Sequence, residues 1–372
     1  MTISGATDFE VLRDDVRRRR FAPAPAARDV RLSVGDALLR IDAFALTANT
    51  LTYATLGDAW KYWDFFPAAD GWGRIPAWGF GTIVRSCIDQ LPEGLRYYGY
   101  FPISSHVVMR PQRIRERTFS DGVEHRAALH PLYNQYALTP RIDERSDALQ
   151  LLLRPLFITS FVLDDMFADN AYYGARRIVV SSASSKTAYG MAFLLHARKS
   201  SGADIELVGL TSAANTAFVR GLGFYDTVAT YDEVEALPTD APALFVDFSA
   251  NARLTDAIHR RLGDSLRCSS AVGYTHWDER AAGALQEISP PTPVPFFSPA
   301  QIQKRARDWG PGGFEQRFGL ALQAFTSAVR GAGDAWLRVS RAYGAQAVER
   351  VYDAALAAGL RPEEGHILSL PE

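Results

Sequence analysis

The fold is decided by one stretch, Arg177-Ile-Val-Val-Ser-Ser-Ala-Ser-Ser-Lys-Thr-Ala-Tyr-Gly190, in which an apolar strand runs through small residues directly into a helix. In an open α/β sheet, a dinucleotide pyrophosphate binds at this kind of turn, where the first amides of the helix and the positive end of its dipole converge. Small side chains let a phosphate approach the backbone closely. The sequence therefore predicts a phosphate-binding turn, with contacts from Ser182, Ser184, Ser185, Lys186 and Thr187.

The glycine pattern of this turn departs from the usual one. The common Gly-x-Gly-x-x-Gly is absent, and Gly190 is the one glycine near the expected end of the turn. A serine-rich turn between a strand and a helix also occurs as a plain helix cap, because a serine hydroxyl satisfies the first amides without any ligand. Both interpretations stay open, and the surrounding alternation of strands and helices favours phosphate binding.

Strands and helices alternate on both sides of this turn. Apolar runs predict strands over residues 177–181, 205–210, 244–248 and 266–272, and helical patterns fill residues 185–199, 213–222 and 251–262. Continuous apolar strands between helices indicate a parallel sheet that is buried on both faces. This part of the chain is therefore predicted to be a Rossmann-type, doubly wound α/β domain.

The earlier part of the chain has a different pattern. Short β-rich runs separated by Gly, Pro and Asp indicate a compact β domain. A helix is predicted over residues 147–167, although Pro155 must kink or split it. Five prolines in residues 289–299 are interpreted as the exit from the nucleotide-binding part. We therefore expect a catalytic and substrate domain over residues 1–142, a dinucleotide-binding domain over 143–288, and a return to the catalytic domain over 289–372.

The residues after the second strand bear on the choice of cofactor. NAD-binding domains usually carry an acidic residue there, which bonds the ribose 2′-hydroxyl. This sequence has Leu210-Thr211-Ser212 instead, so no carboxylate at this place repels a 2′-phosphate. The sequence therefore favours NADP(H), with the phosphate surrounded by Thr211, Ser212, Asn215 and Arg220. The alternative is that Thr211 and Ser212 only cap the next helix.

Composition excludes several other classes of protein. Hydrophobic residues make up 47% and charged residues 22% of the 372 residues, and the net charge is −2, which indicates neither a disordered chain nor a nucleic-acid or membrane partner. Cys87 and Cys268 are the two cysteines, too few for a disulfide framework, which fits a reducing cytoplasm. The amino terminus carries the pattern of neither a secretion signal nor a membrane span. We expect a cytoplasmic protein whose partner is a small molecule.

Four segments carry a family resemblance. They are Gly35-Asp-Ala-Leu-Leu-Arg-Ile-Asp-Ala-Phe-Ala-Leu-Thr-Ala-Asn49, Ile75-Pro-Ala-Trp-Gly-Phe-Gly-Thr-Ile-Val84, Tyr98-Gly-Tyr-Phe101 and Phe218-Val-Arg-Gly-Leu-Gly-Phe-Tyr-Asp-Thr-Val228. In their order they resemble the medium-chain dehydrogenase/reductase superfamily, and specifically its zinc-free quinone and enoyl reductase branch. The resemblance covers most of the chain. It implies a GroES-like β domain beside the Rossmann domain, and it leaves a homodimer open.

The same resemblance has implications for zinc binding and for the catalytic residues. Alcohol dehydrogenases of this superfamily have a zinc-binding cysteine after the first strands, but the matching stretch here is Leu46-Thr-Ala-Asn-Thr50, which has no thiol. The resemblance places Asn49 beside the nicotinamide and Tyr53 close behind it, and Tyr62 is nearest to the tyrosine that enoyl reductases use. Without zinc, a tyrosine can both polarise a carbonyl and deliver a proton. Tyr53 and Tyr62 are therefore both candidate proton donors.

Other residues have competing interpretations. His125 and His130 lie near Glu124 but lack an evident third ligand, so no metal site is predicted. His276 follows the fourth strand and is a candidate acid, although a lone loop histidine is more often structural. Aromatic residues are concentrated in residues 53–78. They could line the wall of a pocket or pack in a core and an interface.

Three functions follow from these observations. The predicted one is an NADPH-dependent reductase of a quinone, an enal or enone, or an enoyl thioester, in which hydride passes to the β-carbon and Tyr53 or Tyr62 protonates the other end. The second is a lyase or hydrolase acting on an apolar ketone with a vestigial cofactor site, which the missing glycines motivate. The third is a non-catalytic binding protein on a reductase scaffold. Nucleotide binding separates the first from the other two.

Overall fold

The fold is taken from a computed structural model, which describes residues 5–272 and 288–371. The strands are β1 (Thr7–Leu12), β2 (Asp15–Pro23), β3 (Ala37–Leu46), β4 (Trp72–Arg74), β5 (Pro76–Ser86), β6 (Arg96–Pro102), β7 (His106–Met109), β8 (Pro111–Gln112), β9 (Thr118–Asp121), β10 (Gln135–Leu138), β11 (Arg177–Val180), β12 (Glu206–Thr211), β13 (Thr227–Thr230), β14 (Ala243–Asp247), β15 (Leu266–Ala271), β16 (Val294–Pro295), β17 (Arg338–Tyr343) and β18 (Glu364–Ser369). The helices are α1 (Ala48–Thr55), α2 (Glu144–Asp169), α3 (Lys186–Ser200), α4 (Thr216–Leu222), α5 (Ala252–Leu262), α6 (Ser298–Asp308), α7 (Gly313–Ala332) and α8 (Ala345–Leu356). Across those two ranges, none of the helices is long and apolar enough to cross a membrane.

The chain divides into two compact units. Unit 1 comprises Met1–Leu152 and Val339–Glu372, and unit 2 comprises Leu153–Arg338. The first division therefore falls inside α2, whereas we expected it at residue 142. The segment after residue 289 is shared between the units, whereas we expected all of it to return to the first domain.

Unit 1 is built on antiparallel strands. Its larger sheet has the order β17-β18-β3-β5-β6-β10-β9-β8, with β7 paired to β3. Large side chains from these and neighbouring strands are fully buried and fill the core; they include Phe9, Phe44, Phe80, Phe101 and Tyr136. This is the β domain that the short β-rich runs predicted.

The amino-terminal residues form strands that the sequence analysis did not predict. β1 lies between β2 and β4 in a three-stranded antiparallel sheet. Phe9 and Val11 on β1 are fully buried, while Arg20 on β2 pairs with Glu10 at 2.7 Å. Opposite charges of this region pair along the sheet. Because charged residues alternate with the few apolar ones, the short apolar face of β1 was not recognised in the sequence.

Unit 2 contains the predicted parallel sheet. Its strands lie in the order β13-β12-β11-β14-β15-β16, and every neighbouring pair is parallel. This is the 3-2-1-4-5-6 order of dinucleotide-binding sheets, in which the ligand binds where the order reverses, beyond the carboxyl ends of the first and fourth strands. The core on one face joins the sheet to α5 and includes Val179, Val208, Leu210, Phe245 and Ile258.

Pro155 does not split the predicted helix. α2 runs without interruption from Glu144 to Asp169 with Pro155 inside it. A proline removes one backbone hydrogen bond, which costs about 3 kcal/mol in an isolated helix. Buried side chains on both sides of the proline, Leu152 and Phe157 among them, offset that cost by packing.

The proline-rich segment does not leave unit 2 either. Val294 pairs with Ser270, so that β16 extends the parallel sheet. α6 and α7 follow in the same unit, where the rings of Phe157 and Phe325 stack with their centroids 4.6 Å apart. The chain returns to unit 1 after α7, and β18 pairs there with β3. Apolar contacts of α2 with α7 therefore place the return later than the prolines suggested.

Candidate functional site

The turn between β11 and α3 adopts the backbone geometry of a glycine turn although it contains serines. Ser182 has a φ of +47°, in the left-handed region that favours glycine. The turn is held by backbone hydrogen bonds from Ala183 N–H to the Leu210 carbonyl and from Ser185 N–H to the Ser182 carbonyl. A serine therefore supplies here the conformation that the missing glycine would supply.

The start of the turn is tied to the neighbouring strand. Ser181 Oγ donates to Asp247 Oδ1 at 2.7 Å, and it accepts from the N–H groups of Phe248 and Ser249 at 2.9 and 3.1 Å. Asp247 is buried and ends β14, so this contact joins the carboxyl ends of β11 and β14. The sequence analysis missed Asp247, although a carboxylate at the end of an apolar strand was a visible signal.

Three of the predicted cofactor residues meet at the end of β12. Ser184 Oγ accepts a hydrogen bond from Asn215 Nδ2 at 3.2 Å and one from Thr211 Oγ1 at 3.4 Å. Ser184 and Thr211 are buried. A hydroxyl has one proton and two lone pairs, so Ser184 keeps its proton for a further acceptor.

Two tyrosines that the sequence analysis did not single out flank the turn. The hydroxyls of Tyr231 and Ser182 lie 3.4 Å apart, and Tyr225 Oη donates to the Ala183 carbonyl at 3.2 Å. Burial raises the pKa of Tyr225. Both tyrosines lie far from the turn in sequence, and only the pairing of β12 with β13 brings them to it.

The remaining predicted residues of the turn lie at the start of α3. Ser185 is the N-cap, and its hydroxyl accepts from Ala188 N–H at 3.3 Å, as the capping interpretation requires. Lys186 and Thr187 are the first two residues of the helix and are partly exposed. The cap of α3 is therefore made by Ser185, while the Ser182 and Ser184 hydroxyls contact other groups.

Ser212 and Arg220, which were predicted near the ribose phosphate, lie in the segment that follows β12. The Ser212 carbonyl accepts from the Thr216 hydroxyl at 3.2 Å, so this serine belongs to the entry of α4. Arg220 is exposed in the last turn of α4, where it lowers the pKa of Glu233, after the larger effect of the Thr230 hydrogen bonds on that carboxyl.

The donor set at the turn suits an anion. The amides of the first turn of α3 have no acceptor within the helix, and the Ser182 and Ser184 hydroxyls lie beside them with Lys186. The end of β12 carries the Thr211 hydroxyl where NAD-binding domains carry a carboxylate. These residues fit a dinucleotide whose ribose carries a 2′-phosphate.

Unit 1 brings two of the predicted catalytic residues into direct contact. Tyr53 Oη accepts from Asn49 Nδ2 at 2.7 Å and from Trp78 Nε1 at 3.1 Å. Asn49 and Tyr53 lie one helical turn apart on α1, while Trp78 lies on β5. The spacing of four residues accounts for the first contact, and the second comes from the fold.

Tyr62, the other candidate donor, packs against Tyr53. Their ring centroids lie 4.9 Å apart with an interplanar angle of 61°. Tyr100 and Tyr133 complete the cluster, with centroids 5.2 and 6.4 Å from that of Tyr53. Burial raises the pKa of Tyr53, Tyr100 and Tyr133, so these phenols keep their protons at neutral pH.

The aromatic segment of residues 60–72 forms part of the core. The Trp63 ring is buried between Gly57 and Gly73, where a Cβ atom would come within 2.0 and 2.4 Å of it. Arg126 Nε donates to the Phe65 carbonyl at 2.9 Å and fixes the end of the short 3-10 helix Tyr62–Phe65. Of the two interpretations of this segment, its burial supports core packing.

The histidines do not form a metal site in the described ranges. There, no group of three His, Cys, Asp or Glu side chains has the arrangement of a metal site. His125 contacts the Phe65 carbonyl at 3.4 Å, and His130 accepts from Leu132 N–H at 3.2 Å. His276 lies outside the described residues.

Comparison of the sequence with protein families gives one match. A sequence model described as "Protein of unknown function (DUF2855)" matches residues 44–361, which is most of the chain. The chain belongs to the DUF2855 family. Among curated proteins, none matches it.

The DUF2855 chain is similar in fold to solved reductase structures. CurA from Vibrio vulnificus in complex with NADPH is 11% identical with a TM-score of 0.59, and the match covers 99% of this chain and 100% of that one. The quinone oxidoreductase from Coxiella burnetii is 9% identical with a TM-score of 0.53, covering 98% and 99%. A mutant form of enoyl thioester reductase from Candida tropicalis is 9% identical with a TM-score of 0.55, covering 99% and 100%. At these identities the similarity establishes the fold, a two-domain α/β arrangement, as predicted.

Proposed function

We propose that this DUF2855 protein is a zinc-independent, NADPH-dependent reductase of a conjugated carbonyl compound: a quinone, an enal or enone, or an enoyl thioester. The observation that carries the proposal is the left-handed Ser182 in the turn that joins β11 to α3, at the point where the strand order reverses. The fold similarity to an NADPH complex of CurA supports the choice of cofactor.

The residues of unit 2 bind the cofactor in this proposal. Ser182, Ser185, Lys186 and Thr187 hold the pyrophosphate at the start of α3. The ribose phosphate is held at the end of β12 by Ser184, Thr211, Ser212 and Asn215. Arg220 is not part of this set, because it lies on the exposed last turn of α4.

Tyr53 and Tyr62 of unit 1 are the proposed proton donors. NADPH, when bound, supplies a hydride to the β-carbon of the substrate. The tyrosine hydroxyl delivers a proton to the enolate that results, so the carbon–carbon double bond of an enal, enone or enoyl thioester gains two hydrogens in total, whereas a quinone takes up the same hydride and proton to become a hydroquinone. Water then returns a proton to the phenolate.

The conformation of Ser182 favours this function over a non-redox one. The missing glycines motivated a lyase or hydrolase with a vestigial cofactor site. Ser182 already adopts the φ that glycine would supply, so the absence of glycine no longer argues against a dinucleotide.

Isotope transfer tests the proposed reaction. NADPH deuterated at one or the other face of C4 is supplied with a quinone, an enal, an enone and an enoyl thioester, and each product is examined by mass spectrometry and proton NMR. The proposal expects deuterium on the β-carbon of the reduced enal, enone or enoyl thioester from one of the two labels, or hydroquinone formed in step with NADPH oxidation, with unchanged rates after metal chelation. Turnover that consumes an enal, enone or enoyl thioester without transferring deuterium, or a quinone without oxidising NADPH, contradicts the proposal.

A matched pair of lysine variants tests the cofactor site. Lys186→Ala is expected to weaken NADPH binding about tenfold, because one charge-assisted contact to a phosphate is worth about 1.5 kcal/mol. Lys199→Ala is the control, since Lys199 lies at the other end of α3 and pairs with Asp226. Equal effects of the two substitutions, or equal weakening of NADPH and substrate by Lys186→Ala, oppose the assignment.

A further inference from the structure

The hydrogen bonds at Tyr53 have a fixed direction. The indole of Trp78 can only donate, so its 3.1 Å contact with Tyr53 Oη occupies a lone pair of that oxygen. An amide side chain presents either its oxygen or its nitrogen, so Asn49 alone would leave the direction open. The indole contact therefore runs toward Tyr53 whatever the orientation of the Asn49 amide, which presents its nitrogen to the same oxygen.

Both lone pairs of the Tyr53 oxygen are occupied in this arrangement. The Asn49 amide nitrogen lies 2.7 Å from it on α1, and the Trp78 nitrogen approaches from β5. A phenol oxygen with two donors on it has its own proton left over for an acceptor. Tyr53 is thus a hydrogen-bond donor toward any third group, such as the oxygen of a carbonyl compound.

The surrounding rings hold this geometry in place. Trp78 stacks on Tyr98 with centroids 5.4 Å apart and an interplanar angle of 14°, so its nitrogen has little freedom to turn away. Tyr62, the other candidate donor, has its hydroxyl hydrogen-bonded to Tyr133. Tyr53 is the candidate donor whose oxygen accepts from an amide and an indole.

We infer that Trp78 is a positioning residue, whose indole N–H together with the Asn49 amide fixes Tyr53 as the proton donor and stabilises the phenolate that remains after the proton has left. The inference rests on the proposed function, since it names Tyr53 as the group that protonates the substrate. It also goes beyond it, because it assigns a role to a tryptophan that contacts the donor rather than the substrate.

Burial and hydrogen bonding have opposite effects on the pKa of Tyr53. Burial is the largest influence and raises the pKa of Tyr53, because a phenolate is poorly solvated in an aromatic environment. The hydrogen bonds from Trp78 and Asn49 act the other way and lower it. Hydrogen bonds to a charged oxygen are about twice as strong as those to a neutral one, so the two donors favour the phenolate over the phenol.

The test measures the acidity of this one phenol without relying on turnover. A 3,5-difluorotyrosine, which is more acidic than tyrosine, is incorporated at position 53, and its ionisation is followed by fluorine NMR. The labelled protein is compared with its Trp78→Phe variant, which keeps an aromatic ring at this position and removes the N–H. The acid dissociation constant of the labelled phenol is expected to fall about tenfold.

Trp63→Phe provides the matched control. Trp63 is a buried tryptophan of the same unit, and its indole nitrogen has no hydrogen-bond partner within the described residues. This substitution is expected to leave the titration of the label at position 53 unchanged. Asn49→Ala, which removes the other donor, is expected to shift the titration in the same direction as Trp78→Phe. It replaces Trp78→Phe as the test variant if that protein does not fold.

The outcomes separate this inference from the proposed function. An unchanged or more acidic label in both Trp78→Phe and Asn49→Ala overturns the inference, whatever the protein binds. A weaker acid in these variants, together with a lower kcat at unchanged KM for the deuterium-transferring substrate, supports it in full. A weaker acid in a protein that does not bind NADPH keeps the role of Trp78 and removes the proposed reductase function.

Discussion

Ser181 Oγ donates a 2.7 Å hydrogen bond to Asp247 Oδ1 and so joins the ends of two neighbouring parallel strands. β11 and β14 are the strands between which the order of the sheet reverses, and a ligand of such a sheet binds beyond their carboxyl ends. The contact fixes the first residue of the turn that leads to α3. The path of the candidate phosphate turn therefore depends on a carboxylate from another strand.

Ser181→Ala tests how much the turn depends on this contact. The substitution removes the acceptor of Phe248 N–H, while Ser249 N–H keeps Asp247 Oδ1 at 2.8 Å, and one donor left unsatisfied costs about 1–3 kcal/mol. We expect the free energy of unfolding of unit 2 to fall by about that amount in urea denaturation. Ser201→Ala, at an exposed hydroxyl near the end of α3, is expected to have no measurable effect. Equal stability of the two variants contradicts this account.

Ser182→Gly is expected to stabilise the protein. Ser182 has a φ of +47°, and a residue with a Cβ atom pays about 1 kcal/mol for the left-handed conformation that glycine adopts freely. The gain is measured as a higher midpoint of thermal or denaturant unfolding, and NADPH binding is expected to persist. Ser185→Gly is the matched control, because Ser185 has an ordinary φ of −70° and its side chain caps α3. A loss of stability in Ser182→Gly that equals the loss in Ser185→Gly argues against strain at Ser182.

The sequence predicted the turn but not all of the residues that build it. Its apolar strand, small residues and following helix are local features, and local features determine this kind of supersecondary structure. Ser184 and Asn215 were predicted because each follows a predicted strand within a few residues. Asp247 and Tyr231 were missed because they reach the turn through the pairing of strands, which a single sequence does not reveal.

Arg126→Met is expected to destabilise unit 1 strongly. Arg126 and Asp121 form an ion pair at 2.9 Å with side chains 2% and 0% exposed, and removing one partner of such a pair costs about 3–5 kcal/mol. The same arginine donates to the Phe65 carbonyl, so the segment that carries Tyr62 should loosen as well. Denaturant unfolding measures the loss, and hydrogen exchange locates it. Arg17→Met, at an exposed arginine, is the control, and a similar small effect of both substitutions contradicts this role of Arg126.

The buried Tyr136 predicts a loss of stability in alkali. Burial raises its pKa to about 12, whereas the unfolded chain ionises near pH 10. Between these values the unfolded state binds fewer protons than the folded state, so the free energy of unfolding falls as the pH rises, by about 3 kcal/mol over the interval from this tyrosine. Guanidinium unfolding at about pH 9 and about pH 11 is expected to show a steeper loss for the native chain than for Tyr136→Phe. The same slope in both proteins would exclude Tyr136 as a source of the effect.

The catalytic candidates were predictable only in part. Asn49 and Tyr53 came from a family resemblance, and their spacing on a helix accounts for their contact. Trp78 was quoted in a resembling segment without a role, because only the packing of β5 against α1 brings its indole to Tyr53. β1, in the charged amino-terminal region, was not predicted for a related reason. The short apolar face of β1 is recognised only once β2 and β4 are paired with it.

Binding of reduced nicotinamide cofactors tests the central claim most directly. NADPH and NADH are titrated separately into the purified protein, and binding is followed by the fluorescence of the reduced nicotinamide. The account predicts a dissociation constant for NADPH on the order of micromolar, about −8 kcal/mol, and much weaker binding of NADH, because the end of β12 carries Thr211 in place of a carboxylate. Binding of neither cofactor would leave the fold unchanged and contradict the reductase function.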